Sequence, residues 1–527
     1  MGNTMTRGHG GHRRMRPKSA LAGRLASAGV TFALALLVVG YLTVPAVWQW
    51  KTAASHTNTG EEQVTIEAGP SDPGLVSRLA AATTSPQSPP LILTYHDITY
   101  IPGRYNVTPE AFAAQMQLLH DAGWTTVTAR QLSDWLRGIP LPPHSVMVTF
   151  DDGARGVWKY ADPILARNDQ HATAYIITGS VGTRAPYYMT WDEIVSLHDS
   201  GRWDLGAHTH EGHGTVPIDA AGHQGEFLSN YRYLDALGRL ETTEEYRTRI
   251  TADLDESTNQ FAAHGLPEPT FFAYPFSAHV ENPPASGAYD AGTLNAAVRS
   301  RFEAGMLDST GAVATTTKTE LDDRHLDRMD ITDNVSLGKW VDLLTGASPL
   351  DPRSVDPFDG TGDWGFRDDA SATFTADRVL TLDPGSQTYV VARYARDRTT
   401  MWDDYTVSAT LTGFESRGEG TSTGLVALTD DPLNQIEVSV SIGSYRIHRG
   451  TVDGEVVAEG PLARARSYDV ELAVRPEEVT VSIDGHRVGV IPTEGSGPRS
   501  AAGGIAVSGV RHSPVGPLPQ VRNLTVR

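Results

Sequence analysis

The sequence predicts an α/β chain in which a deformed (β/α) barrel is followed by an all-β sandwich, with one membrane-spanning helix ahead of both. Three patterns predict this. From Leu91 onward short apolar runs alternate with helical periodicity, as in a parallel sheet with crossover helices. After residue 363 short strands alternate strictly, as in Tyr405-Thr406-Val407-Ser408-Ala409-Thr410-Leu411. Near the start, 25–50 is uncharged and apolar at its centre, long enough for the ~20 residues that cross a bilayer. At 527 residues the chain also exceeds one ordinary core.

In chain order, 1–24 holds Arg7, Arg13, Arg14, Arg16, Lys18 and Arg24 and no acidic residue. The positive-inside rule makes it a cytoplasmic tail, with everything beyond the span at 25–50 outside the cytoplasm. A cleaved signal peptide ending near Ala53-Ala54-Ser55 is the alternative, which would make the protein secreted. Residues 51–88, rich in Thr, Ser, Pro and Gly, read as a linker. The barrel is expected over 89–345. It should include a helix at 109–119 capped by Thr108, a strand at 146–150, a helix at 157–166 and a strand at 172–178. A scaffolding helix at 243–264 should follow, with Ile250, Leu254 and Phe261 on one face. The long connection at 214–239 reads as a wall beside a substrate. Gly, Pro, Ser and Asp mark a second linker at 346–362, and 363–527 forms the sandwich, with Asp484-Gly485 as a hairpin signal.

Composition excludes several classes. With 63 acidic against 43 basic side chains the formal charge is −20, which argues against a nucleic-acid partner. The absence of cysteine excludes disulfides, thiolate metal sites and cysteine nucleophiles.

The chemistry concentrates at strand ends. Val148-Thr149-Phe150-Asp151-Asp152-Gly153 closes an apolar strand on two carboxylates, so one can bind a metal while its neighbour takes a proton. Acidic residues before glycine are also ordinary turn chemistry. The answering segment is Leu205-Gly206-Ala207-His208-Thr209-His210-Glu211-Gly212-His213-Gly214, with three imidazoles in six positions. One Asp with two His is the ligand set of an open, catalytic divalent-metal site. Two more strand ends join them: Leu91-Ile92-Leu93-Thr94-Tyr95-His96-Asp97-Ile98 and Phe271-Phe272-Ala273-Tyr274-Pro275-Phe276.

This order of motifs resembles the polysaccharide deacetylases of the NodB-homology family, carbohydrate esterase family four. Over 88–340 it is most similar to the branch that deacetylates poly-β-1,6-N-acetylglucosamine. Two positions depart from the wider family: Phe272 stands where most members carry Arg, and Phe276 where they carry Tyr. The usual C-terminal Leu-x-x-His is not evident.

The resemblance implies one divalent metal, zinc first, with nickel, cobalt or iron as alternatives, held by Asp152, His208 and His213. His210 then supports the site or faces solvent. Asp151 becomes the general base, His96 the general acid, and the Phe276 N–H the oxyanion donor. Tyr274, Trp191 and Arg232 are candidate sugar contacts, against the plainer readings of core aromatics and a solvated loop.

The implied activity is hydrolysis of N-acetyl groups from an extracellular N-acetylglucosamine polysaccharide, releasing acetate. Peptidoglycan N-deacetylase, acetyl-xylan esterase and a non-catalytic glycan-binding surface protein are the alternatives. The closing strand at 521–526 resembles that of jelly-roll or laminin-G-like modules, and Trp364, Trp402 and Tyr445 are its candidate glycan contacts.

Overall fold

Seven parallel strands follow one another around a closed barrel in chain order: β1 Leu91–Tyr95, β2 Ser145–Phe150, β3 Ala172–Ile176, β4 Trp203–Ala207, β5 Phe271–Ala273, β6 Ala304–Ser309 and β7 His325–Asp330. Closure comes from β1, which pairs with β2 on one side (Leu93 opposite Val148) and with β7 on the other (Leu93 opposite Met329). A two-residue strand, Thr125–Thr126, lies beside the start of β2. The joint between β4 and β5 is the thinnest, a single register pair of Phe272 with Ala207. β1, β2 and β3 are buried along their whole length, as strands covered on both faces must be.

This computed structural model describes residues 62–82, 88–278, 291–309, 316, 318–333, 335–359, 363–414, 421–430, 433–450, 454–493, 502–511 and 518–527. The expected tail at 1–24 and span at 25–50 lie outside them. No helix among the described residues is long and apolar enough to cross a membrane.

Helix α1, Pro73–Ala80, precedes the barrel. α2 Pro109–Asp121 and α3 Ala129–Leu136 connect β1 to β2. Then α4 Asp162–Arg167, α5 Trp191–Asp199, α6 Thr243–Ala263, α7 Ala291–Arg299 and α8 Lys318–Asp322 fall between successive strands, and α9 Leu337–Ala347 follows β7. Threonine caps recur. Thr108 accepts from the Ala111 N–H, and Thr128, Thr190 and Thr242 each form a capping box with Gln131, Glu193 and Glu245. The helix expected at 157–166 begins instead as a π-turn, Val157–Ala161.

The linker expected at 51–88 is corrected from residue 62 onward. Asp72 caps α1, Leu79 is fully buried, Trp124 Nε1 donates to the Leu79 carbonyl at 3.1 Å, and the Val64 N–H bonds Lys159 O at 2.8 Å. Leu75, Val76 and Leu79 form an apolar stripe that a free linker would leave in water.

Among the described residues, fourteen strands make the sandwich. One antiparallel sheet runs β8-β11-β20-β13-β14-β15-β16 and the other β9-β10-β21-β12-β17-β18-β19. In chain order these are β8 Trp364–Gly365, β9 Ser371–Thr375, β10 Val379–Asp383, β11 Tyr389–Tyr394, β12 Tyr405–Thr412, β13 Ser422–Ala427 and β14 Ile436–Ser441. They continue as β15 Ser444–Arg449, β16 Glu455–Pro461, β17 Ser467–Arg475, β18 Glu478–Ile483, β19 His486–Pro492, β20 Ile505–Val510 and β21 Gln520–Val526. Every second side chain enters the shared core.

The second expected linker, 346–362, also proves to be fastened. Arg398 Nε donates to Ser348 O at 2.8 Å, the Leu350 N–H to Arg398 O at 2.8 Å, and Trp402 Nε1 to Leu350 O at 2.7 Å. Leu350 joins the sandwich core, and Asp356 holds Arg378 through both oxygens at 2.6 and 2.9 Å. Trp364 and Trp402 are buried here, so neither is a surface platform for a glycan.

Candidate metal centre and catalytic site

The chain leaves β2 through a reversal that separates two neighbouring carboxylates. The Asp151 N–H bonds Tyr95 O at 2.9 Å, which extends the sheet by one residue. Asp152 then adopts φ 71° and Gly153 φ 80°, left-handed conformations that Asp and Gly tolerate best. The two side chains therefore serve different neighbours.

Asp152 faces the histidine loop that follows β4. Its Oδ1 lies 3.5 Å from His208 Nε2 and 3.3 Å from His213 Nε2, and one ligand atom from each of the three residues lies within 4.8 Å of the others. Two features fit this trio to a divalent ion. His208 Nδ1 lies 2.8 Å from Ala273 O, which keeps the ring proton on Nδ1 and leaves the Nε2 lone pair for a metal. Asp152 Oδ1 is buried without a hydrogen-bond partner, a costly arrangement unless a cation shares it. Burial holds His213 below its ordinary range, in the neutral form a metal needs.

Helix α6, expected to be scaffolding, shapes this loop. Asp253 accepts the His210 N–H at 3.1 Å and the Glu211 N–H at 2.7 Å. A Cβ on Gly212 would meet Asp253 Oδ2 at 2.8 Å, so the close approach requires glycine. His210 turns away from the trio, with its Nδ1 3.0 Å from Thr178 Oγ1.

Asp151 points into the barrel and meets Arg328, a residue that sequence reasoning missed. Arg328, on β7, is fully buried and bonds both Asp151 oxygens, at 2.7 and 2.6 Å. It also lies 3.0 Å from Asp308 Oδ1 and 3.3 Å from Thr149 Oγ1. Burial alone would raise the Asp151 pKa. The Arg328 charge, helped by His208, reverses this and holds the carboxyl well below its usual range. The stretch Leu326-Asp327-Arg328-Met329-Asp330 carries one signal, a cation inside a barrel strand.

His96, after β1, has its Nδ1 4.0 Å from Asp330 Oδ1, and its ring lies 4.7 Å from Tyr105. Burial raises Asp330 to about 6, against the opposing charge of His96. Phe276 adopts φ 58°, ψ 15°, which sets its half-exposed ring 4.6 Å from His213. Among the described residues the exposed aromatic side chains are Tyr105, Tyr187 and Phe276. Tyr105 and Phe276 flank site histidines, and the Tyr187 hydroxyl is raised by burial and by the Asp152 carboxylate.

The expected sugar contacts lie elsewhere. Tyr274 is buried on the outward face of the barrel, edge-on to Phe272, with its hydroxyl 3.3 Å from His325 Nε2. Residues 272 and 274 share a strand face, and that face is covered by α6 and α7. Trp191 stacks on His264 at 3.9 Å and meets Phe261 edge-on, joining α5 to α6. Arg232 lies over the Phe227 ring, in a segment built from two short hairpins rather than an open wall.

Residues 138–294 match the family model described as polysaccharide deacetylase. A poly-beta-1,6-N-acetyl-D-glucosamine N-deacetylase of Escherichia coli K12 is 27% identical over 185 residues, covering 32% of this chain and 28% of that protein. One of the same name from Staphylococcus epidermidis is 28% identical over 114 residues, covering 21% of this chain and 39% of that protein. The chain thus spans well under half the length of these curated relatives. The solved structure of a de-N-acetylase from Aggregatibacter actinomycetemcomitans is 19% identical, covers 48% of this chain and 99% of that one, and gives a TM-score of 0.41.

Proposed function

We propose that this chain, which carries a polysaccharide deacetylase domain, hydrolyses N-acetyl groups of an N-acetylglucosamine polymer of the β-1,6-linked type and releases acetate. The observation that carries the reading is the division of labour at Asp151 and Asp152: one carboxylate held ionised by Arg328, the other turned to two imidazoles.

An acetamide resists water because the nucleophile is weak, the carbonyl is weakly electrophilic and an amine leaves badly. Asp152, His208 and His213 would hold a divalent ion, which when bound acidifies water and polarises the carbonyl. Asp151, ionised at every physiological pH, accepts the proton of the attacking water. The new bond joins the water oxygen to the acetyl carbon, and the amide C–N bond breaks. His96, steadied between Tyr105 and Asp330, returns a proton to the departing amine. The Phe276 N–H is the oxyanion donor in this reading, which asks only main-chain chemistry of that residue. Tyr105, Tyr187 and Phe276 give the apolar faces of a sugar somewhere to rest.

The reading includes an extracytoplasmic location, with 25–50 as a retained anchor; protease accessibility on intact cells tests it. The activity test is acetate release from defined β-1,6-linked N-acetylglucosamine, peptidoglycan and acetyl-xylan oligosaccharides, with a chelator control. Release from peptidoglycan or xylan alone would reassign the substrate. No release from any would leave a glycan-binding protein.

A further inference from the structure

A groove of about 680 Å³ opens on the sandwich, on the outer face of the sheet that contains β14, β15 and β16. Strand alternation builds it. Val438, Val440 and Ile447 point into the core, so their neighbours Glu437, Ser439, Arg446 and His448 point out. Glu437 sits opposite His448, Ser439 opposite Arg446, and Arg446 opposite Glu459.

Three features are poorly explained by stability. Glu437 is only 2% exposed although it lies on the outward face, and among the described residues no Lys or Arg forms an ion pair with it, His448 being the one charged group beside it. It is held instead by hydroxyls, from Ser508 Oγ at 2.6 Å and Tyr389 Oη at 3.4 Å, and burial raises its pKa. A buried carboxyl without a Lys or Arg partner costs free energy that simple packing would not require. His448 Nδ1 is likewise buried without a hydrogen-bond partner. Arg446 and Glu459 cancel each other's charge at 3.0 Å, so the groove is rich in donors and acceptors yet nearly neutral.

Matched donors and acceptors with little net charge suit hydroxyl groups, each of which is both donor and acceptor. A phosphate or sulfate would face the Glu459 carboxylate beside the buried Glu437 carboxyl, and a cation would face Arg446. We infer that this groove binds a neutral, hydroxyl-rich saccharide chain, a second glycan site apart from the deacetylase centre. Only the identity of the polymer rests on the proposed function. If the polymer is the substrate, two sites on one chain raise its effective concentration at the catalytic centre.

Affinity electrophoresis of the full chain tests this, with Asp151→Asn to stop turnover and with gels containing poly-β-1,6-N-acetylglucosamine, fructan or xylan. The expected result is retardation by at least one polymer, weakened about tenfold by Glu437→Gln or Arg446→Ala. Ser439→Trp, which fills the groove, should act likewise, and thermal melts identify any variant that loses its fold. Retardation confined to fructan or xylan would support the groove while separating it from the deacetylase reading, which acetate release tests independently. Absence of retardation by all three polymers, or equal retardation of folded groove variants, would overturn the inference.

Discussion

Arg328 grips both oxygens of Asp151 inside the barrel, at 2.7 and 2.6 Å, although 177 residues separate them in sequence. The pairing answers how adjacent carboxylates can differ in role. Asp151 is fixed as an anion facing inward, and Asp152 is left for the histidines.

Chelation should abolish acetate release, and readded divalent ions should restore it. Metal content measured alongside activity checks this. Unchanged release after complete removal would sink the mechanism.

Asp151→Asn should retain metal and lose about 10²- to 10⁴-fold in turnover, the usual effect of removing a general base. Asp152→Asn should lose both, since Oδ1 of Asp152 faces both imidazoles. Equal metal loss in the two variants would mean the roles are misassigned.

Arg328→Met should destabilise the protein by about 3–5 kcal/mol, because it leaves Asp151 and Asp308 buried without their cation. Urea titration measures it. Adding Asp308→Asn should recover part of the loss, and no recovery would remove Asp308 from the network.

Asp330→Asn should stabilise the chelated protein in a pH-dependent way. Burial raises Asp330 from 3.8 to about 6, so between these values the unfolded chain ionises first and the folded state loses stability as pH rises. The cost is absent below the lower value and complete above the upper, where about 2 pKa units correspond to about 3 kcal/mol at most. Melting temperatures of both proteins from pH 3.5 to 7.5 should therefore diverge upward. A constant difference would contradict the assignment. The same substitution removes the partner of His96, so it should lower turnover while raising stability.

The segments that repeat a period were legible. β1, β2 and β3 announce themselves as apolar runs ending in His96, Asp151 and Thr178, and the caps Thr108 and Thr242 are local signals. The convergence of Asp152, His208 and His213 was legible because these residues are unusual where they stand. Arg328 was not, since a charged residue in a short strand reads as solvent-facing until the barrel closes around it. Tyr274 erred the opposite way: its position beside the Phe276 motif suggested a groove, whereas the parity of its strand sends the ring into the helix layer. Residues 62–82 and 348–359 read as tethers in sequence because their anchoring is long-range, through single residues such as Leu79 and Leu350.

The joint between β4 and β5 has only one register pair, and the bond from His208 Nδ1 to Ala273 O crosses it. The proposed metal ligand is thus also a stitch across the barrel wall. With His208 holding an ion, as proposed, capture and wall closure would be linked equilibria, each strengthening the other by the same factor. Amide exchange around 205–208 and 271–274 should slow when the ion binds, more than at the five-residue pairing of β1 with β2. A domain that loses its metal would then begin to open beside the very loop it needs to bind again.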